Sequence, residues 1–415
     1  MAWKAWCGGG IGPLHGNAYN GDSSQVMGLE SGMSNAVIIV GTGLAGYTTA
    51  REFRKHDQRT SLILITQDDG RSYSKPQLST GYRKGKSPDA LAMADAVTME
   101  RQLDARIITR AEVQAVDAQA CQVRLRDETL DYASLVLAVG AAPVDLPLGG
   151  DAAGEVHRVN DLQDYARFRA AADDGQRVLI IGGGLVGCEF ANDLADAGKQ
   201  VVQVFPESEP LARLAPEPAG AALREALGEI GVDVRTGLTV DAVDRAGSDY
   251  RATLSDGSQV TADVVLVAAG LRPRTQLASA AGLTVADGIV VDRYLRSSDG
   301  RIFALGDCAQ VEGHVFQYVP PLTAAARALG ATLAGDPTAV VYPAMPVMVK
   351  TSCCQVVCWP PADAAAGSWH YEGEAQAMRG EFRGPDGQLL GFVLTGKRMR
   401  ERMELTEQLP TVIPG

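Results

Sequence analysis

Cysteine is scarce in this chain of 415 residues. The seven present (Cys7, Cys121, Cys188, Cys308, Cys353, Cys354 and Cys358) are odd in number and mostly scattered. That excludes a dense disulfide framework and makes a reducing cytoplasm the default setting. Cys353, Cys354 and Cys358 lie close together, but no second ligand pair follows at zinc-like spacing, so no metal site is expected. No uninterrupted apolar run reaches the roughly 18 residues that a bilayer crossing needs, so membrane insertion is not expected. Long basic stretches are also missing. With 38 basic against 50 acidic side chains the net charge is −12, which argues against a nucleic-acid partner. What remains is an ordinary globular composition, 46% hydrophobic and 21% charged, in a chain long enough for two or three domains.

Residues 1–32 stand apart. They hold eight glycines and two tryptophans, show no periodic pattern, and lack the continuous apolar core of a secretory signal. They read as a disordered leader, or as the product of an upstream start codon that the folded protein does not use, with Met33 directly before the first strand pattern.

Two glycine fingerprints carry most of the information in the rest. Gly41-x-Gly43-x-x-Gly46 follows the apolar run Ala36 to Val40, and Gly182-x-Gly184-x-x-Gly187 follows Val178 to Ile181. Each run reads as a buried strand, and helix-forming sequence follows each glycine set. A strand, a tight turn and a helix N-terminus present backbone N–H groups and a positive dipole end to a pyrophosphate. One such motif is weak evidence. Two in matching contexts imply two dinucleotides, and a chain that holds two usually passes electrons between them.

The organisation around them is duplicated. The first unit reads as a helix from about Leu44 to Lys55, strands at Ser61–Thr66 and Arg106–Ile108 (extending toward Val113), a small antiparallel insertion near Cys121–Arg126, and a strand Leu135–Val139. The second reads as a strand Val178–Ile181, a helix Leu185–Ala197, a strand Val201–Phe205, a helix Pro218–Ile230, a strand Asp233–Arg235, a hairpin across Asp256-Gly257, and a strand Val264–Ala268. Even the endings match: Ala138-Val139-Gly140-x-x-Pro143 and Ala268-Ala269-Gly270-x-x-Pro273. Strand–helix alternation predicts doubly wound parallel sheets. After Arg274, the strands Gly288–Val291 and Ile302–Leu305, then a helix Leu322–Leu333, read as a return to the first domain. A boundary falls at Gly335-Asp336-Pro337. Beyond it a small α+β domain is expected, ending in a helix from about Lys397 to Gln408. The fold class is α/β: two Rossmann-like dinucleotide-binding domains, one interrupting the other, plus a small C-terminal domain.

From Met33 onward this order of motifs resembles the two-dinucleotide-domain flavoprotein reductases. Within that group, Arg71-Ser-Tyr-Ser-Lys75-Pro76-Gln-Leu-Ser79, Gly187-Cys-Glu189-Phe-Ala-Asn-Asp193-Leu and Val349-Lys350-Thr351 resemble the bacterial NADH:rubredoxin reductases. The resemblance implies an FAD domain (33–145 and 275–338), an NAD domain (146–274) and a C-terminal domain (339–415). It also implies FAD and NADH as cofactors and rubredoxin as the electron acceptor.

On that basis the segment Gly41, Thr42, Gly43, Leu44, Ala45 and Gly46 is expected to hold FAD pyrophosphate, and Ala138 and Gly140 to border it. Asp68, or the Gln67 amide where the wider family carries Glu, is expected at the adenosine ribose. Val113 is implied at the adenine, Gly306-Asp307 at the ribityl chain, and the Val319 backbone at the flavin edge. Lys75 and Lys350 are the catalytic expectations, because reduction places negative charge on the flavin and a positioned ammonium stabilises it. Lys75 precedes a proline and reads as part of a rigid, non-helical turn. Lys350 is the only charge between Val341 and Pro361, and such a lysine needs a partner or water. Glu189 is placed in the first turn of the second helix, where the dipole alone could explain it, and the resemblance carries it to the nicotinamide–flavin junction. Gly182, Gly184, Gly187, Glu207 and Gly270 are expected at NADH. With no arginine directly after Glu207, NADH is favoured over NADPH.

Disulfide reductases of this fold need a cysteine pair near the first domain's helix, and single-thiol oxidases carry one nearby. The stretch Leu44 to Lys86 contains none, so thiol chemistry at the flavin is not expected. A ferredoxin, oxygen or a small molecule remains the alternative acceptor, and a non-enzymatic flavin sensor the alternative class. Arg71, Lys75, Arg83, Lys84 and Lys86 put five bases and no acid into sixteen residues, a patch that can steer a small acidic protein. Neutralising Arg83, Lys84 and Lys86 together should flatten the salt dependence of acceptor reduction. An unchanged salt dependence would remove the steering role.

Overall fold

The computed structural model describes residues 35–362 and 364–415; the leader expected over residues 1–32 lies outside them. The apolar, β-branched run Val37–Val40 forms a fully buried strand. It pairs in parallel with Leu62–Ile65 on one side and Ser134–Leu137 on the other. Arg106–Ile108 and Ile302–Ala304 complete the sheet at its two edges, again in parallel. Parallel neighbours need crossovers, and Leu44–His56 supplies the first, burying Ala45, Tyr47, Ala50 and Phe53. The strand at 302–304 returns to this sheet after an excursion of more than a hundred residues.

That excursion contains a second parallel sheet, in the order Asp233–Thr236, Gln200–Phe205, Arg177–Ile181, Val264–Val267. The helix Leu185–Asp196 follows its fingerprint. The hairpin expected at Asp256-Gly257 joins Asp249–Leu254 to Gln259–Ala262 in a three-stranded antiparallel meander. Where the chain leaves the first unit and re-enters it, Ala141–Pro143 and Leu271–Pro273 pair antiparallel. The matching Gly-x-x-Pro endings therefore form a two-stranded neck.

The C-terminal part is an antiparallel sheet in the order Val347–Val349, Val356–Trp359, Leu389–Thr395, Arg379–Arg383, Ser368–Glu372. Its inner face shares one core with the second unit: Val349, Val356 and Val393 lie in a single apolar cluster with Phe168, Phe190 and Leu194. This packing anchors the segment carrying Lys350 to the helix carrying Glu189.

Three local expectations need correction. The strand at Arg106–Ile108 stops short of Val113, because Arg110 takes a left-handed conformation (φ 52) and its N–H turns back to the Asp68 carbonyl at 2.9 Å. The helix expected from Lys397 begins as a 3-10 turn, Gly396–Glu401, and becomes α-helical only at Arg402–Gln408. Gly396 (φ 45) bends the chain at that point. Lys75 is not in a non-helical turn: it opens the 3-10 helix Lys75–Thr80, whose first turn accommodates Pro76 because an N-terminal N–H is unpaired anyway.

The third glycine of each fingerprint is forced by close approach. A Cβ on Gly46 would lie 1.9 Å from the Gly41 carbonyl oxygen, and one on Gly187 would lie 2.2 Å from that of Gly182. Gly46→Ala and Gly187→Ala should each destabilise the fold by about 1–3 kcal/mol, read by thermal unfolding, with Gly46→Ala also lowering flavin content. Wild-type melting in both would show that the helices can back away freely.

Candidate active site

Each fingerprint builds the same local cradle. The strand ends at Val40 or Ile181, and Gly41 (φ 115) or Gly182 (φ 134) turns the chain in a conformation open only to glycine. Gly43 and Gly184 then stand at the N-cap of the following helix, without a side-chain cap. The first N–H groups of each helix are consequently unpaired within it. A Cβ built on Gly43 or Gly184 meets nothing within 4 Å, so both turns face open space of the kind an anionic pyrophosphate fills.

That space is one continuous cavity of about 1820 Å³, lined by residues 41–45 and 182–186 alike. Gln67, Asp68, Lys75, Val113, Ala138, Gly140, Glu189, Glu207, Gly270, Asp307, Val319 and Lys350 also line it. Among the expected binding residues, Gly46, Gly187 and Gly306 do not. The first two sit behind the turns as packing contacts, and Gly306 (φ 75) makes the turn that delivers Asp307.

The middle of the cavity is organised by Glu189, which is 1% exposed. The Ser79 hydroxyl donates to Glu189 Oε2. The Lys350 N–H donates to Oε1 at 3.0 Å, and the Lys350 ammonium lies 3.0 Å from Oε2. The same ammonium donates to the Pro76 carbonyl at 2.6 Å. One carboxylate thus ties together the segment after Lys75, the second fingerprint helix and the C-terminal sheet. The helix begins at Leu185 and has no acid in its first turn, so Glu189 lies one turn further in than expected. The helix dipole does not account for it; its three hydrogen-bonding partners do.

The stripe continues down the helix. Asp193 Oδ2 accepts the N–H groups of Tyr82 (2.8 Å) and Arg83 (3.2 Å), and burial raises its carboxyl pKa. Asn192 donates to Ser352 Oγ at 2.9 Å and accepts the Cys353 N–H at 3.0 Å. Asp196 pairs with Arg83 at 3.0 Å. No role was assigned to Ser79, Asn192, Asp193 or Asp196 from sequence. Glu189, Asn192, Asp193 and Asp196 are spaced i, i+3, i+4 and i+7, a polar face on an otherwise apolar helix, and that periodicity was available to find them.

Lys75 and Asp307 face each other at 3.9 Å, both half-buried. Burial lowers the Lys75 pKa, with Asp307 opposing, and raises that of Asp307, with Lys75 opposing. Asp68 is partly committed to the fold: its Oδ1 accepts from Thr66 Oγ1 (2.9 Å), the Gly70 N–H (2.8 Å) and Thr42 Oγ1 (3.3 Å). Gln67 is exposed at the same edge. Arg213, six residues beyond Glu207, lines the cavity as well, although no arginine follows Glu207 directly. The basic run at residues 71–86 is not one free patch. Arg71 pairs with Asp69 (2.9 Å) and Asp89 (2.8 Å), Arg83 with Asp196, and Lys75 turns into the cavity, while Lys84 stays exposed. Among the described residues no cluster of ligating side chains could hold a metal, and no helix is long and apolar enough to cross a membrane.

Two glycine cradles opening on one cavity, with paired lysines and acids between them, define a dinucleotide-linked oxidoreductase. The chain belongs to the pyridine nucleotide-disulphide oxidoreductase family, whose pattern it matches over residues 35–330; residues 339–409 match the rubredoxin binding C-terminal domain. It is 49% identical to the rubredoxin-NAD(+) reductase of Alcanivorax borkumensis, covering 91% of this chain and 99% of that one. It is 39% identical to the rubredoxin-NAD(+) reductase of Acinetobacter baylyi, again covering 91% and 99%. Among solved structures it superposes on a ferredoxin reductase from Rhodopseudomonas palustris with a TM-score of 0.81 at 25% identity, covering 91% of this chain and 96% of that one. The expected fold class and the resemblance to the rubredoxin reductases both hold. Despite the family's name, no cysteine among the described residues lines the cavity.

Glu189→Leu should destabilise the protein by about 1–3 kcal/mol by orphaning the Ser79 and Lys350 donors. Lys350→Met added to it should cost little more, since the pair is already broken. Denaturant unfolding of the four-member cycle measures this; strictly additive losses would mean that the two residues do not act together.

Proposed function

We propose that this protein carries electrons from NADH through FAD to rubredoxin, with the division of labour the sequence suggests, FAD on residues 33–145 and 275–338 and NADH on 146–274; docking of the acceptor beside 339–415 is supported by the match of residues 339–409 to the rubredoxin binding C-terminal domain. The observation that carries this reading is that both cradles open on one cavity, with the C-terminal sheet contributing Lys350 to its middle. Proximity of two bound reactants removes most of the entropic barrier to transfer between them. Bound in the first cradle, FAD can accept electrons as a pair and release them one at a time, which suits a nicotinamide donor and an iron-protein acceptor.

The chain's own residues do the rest. Backbone N–H groups after Gly43 receive one pyrophosphate and those after Gly184 the other. Gly46 and Gly187 hold each helix against its turn. Asp68 or Gln67 and Val113 border the FAD adenosine end, and Ala138, Gly140, Asp307 and the Val319 backbone border its flavin half. Gly270 and Glu207 flank the nicotinamide nucleotide, with Glu207 disfavouring a 2′-phosphate. Lys75 and Lys350 hold positive charge where negative charge develops, and Asp307 and Glu189 keep the two ammonium groups in place. A cytoplasmic setting accompanies this reading, supported by a small number of cysteines, those described all being free.

Lys75→Met should slow reduction of the bound flavin by NADH at least about ten-fold in stopped flow while leaving NADH affinity near wild type. The reduced wild type should then turn over faster with rubredoxin than with a ferredoxin. Faster reoxidation by ferredoxin would move the acceptor assignment, and an unaltered reduction rate in Lys75→Met would remove Lys75 from the chemistry.

A further inference from the structure

The two fingerprints differ at the middle residue of the turn. The first reads Gly41-Thr42-Gly43, and Thr42 is braced by its bond to Asp68; a β-branched residue also stiffens the backbone. The second reads Gly182-Gly183-Gly184. Three successive glycines make the softest turn available, in which a peptide plane can rotate with little steric opposition.

Beneath that turn lies Gln203, fully buried in the strand Gln200–Phe205. Its amide donates to the Gly182 carbonyl at 2.9 Å, while its Oε1 has no partner. The duplicated unit shows what the fold alone asks for. Gln203 pairs with Ile180 as Leu64 pairs with Ile39, and Leu64 is just as buried. A buried amide with one half unsatisfied costs stability relative to leucine, so packing does not explain it.

We propose that Gln203 is a positioning residue for the nicotinamide dinucleotide, a role that rests on the assignment of that cofactor to the second fingerprint. In a trans peptide the carbonyl and the following N–H point in opposite directions. Tying the Gly182 carbonyl down to the sheet therefore turns the Gly183 N–H away from it. The next carbonyl is held back too: Gly183 oxygen accepts from the Leu211 N–H at 2.8 Å and from the Cys188 thiol at 3.4 Å. Burial pushes that thiol up to about 12, so it stays a proton donor at working pH. With both carbonyls tied back, the turn cannot swing a carbonyl dipole toward an anionic pyrophosphate. Gln203 does from below for the glycine turn what Thr42 and Asp68 do from within the first.

The test uses the flavin-loaded protein. Gln203→Leu installs the residue of the matching position and should raise the dissociation constant of ADP-ribose by calorimetry, and the KM for NADH, about five-fold or more. Flavin content, kcat at saturating NADH and melting temperature should not fall. Gln203→Glu is the complementary variant: its buried carboxyl, pushed up by desolvation, can donate to Gly182 when protonated and repels it when ionised. Its ADP-ribose affinity should be near wild type at low pH and fall as pH rises, by more than the wild type's does. Unchanged affinity in Gln203→Leu together with a wild-type pH profile in Gln203→Glu would overturn the proposal. Gly184→Val separates the two levels. If it binds ADP-ribose like the wild type, the cofactor assignment itself is wrong; if it does not, while both Gln203 variants bind normally, only the role of Gln203 is.

Discussion

A single buried carboxylate sets the geometry of this molecule's centre. Glu189 accepts from a hydroxyl in the segment after Lys75, from a backbone N–H in the C-terminal sheet and from the Lys350 ammonium. The hydroxyl belongs to one part of the chain and both Lys350 donors to another, while the carboxylate itself stands on the second fingerprint helix. Were the carboxylate absent, the Ser79 hydroxyl and the Lys350 N–H would lose this acceptor, and the Lys350 ammonium would keep only the Pro76 carbonyl. Desolvating a charge is expensive, and here the expense is offset by complete use of both oxygens. The consequence is positional: the lysine of the C-terminal sheet is held in the cavity beside the second glycine cradle.

The cradles themselves follow from duplication. Both units place a four- or five-residue apolar strand in the middle of a parallel sheet, turn the chain on a glycine of positive φ, and start a helix at an uncapped glycine. The second unit sits inside the first in sequence, so the antiparallel neck of Ala141–Pro143 and Leu271–Pro273 is where the two are joined. The C-terminal sheet then packs its core against the second unit, through Val349, Val356 and Val393. The second glycine cradle and the C-terminal sheet thus share a packed frame, with loops free to vary around it.

Much of this was legible because it is written in local pattern. Apolar runs of four to six residues followed by glycine turns identify buried strands and phosphate cradles without any knowledge of packing, and the Gly-x-x-Pro endings mark the neck. Lys350 stood out as the one charge in an apolar stretch. What stayed hidden was non-local. Nothing adjacent to Ser79 says that it meets Glu189, and Asp193 gives no sign that it caps the N–H groups of Tyr82 and Arg83. Lone charges also mislead in one dimension: the five bases of residues 71–86 look like a free patch until Asp69 and Asp89, just outside the run, pair with Arg71 and the distant Asp196 pairs with Arg83. Helix boundaries near prolines and glycines, at Lys75 and Gly396, shifted for the same reason, since the tight 3-10 turns there depend on what the chain must do next.

Electron transfer as proposed here requires two dinucleotides in one cavity with their reactive rings together at Glu189. A crystal structure of the protein with FAD and NAD+ both bound tests it most directly. The expected result is one pyrophosphate against Gly43, the other against Gly184, and the nicotinamide ring within about 3–3.5 Å of the flavin, between Lys75 and Lys350. A nicotinamide dinucleotide seated away from Gly184, or rings separated by protein, would contradict it.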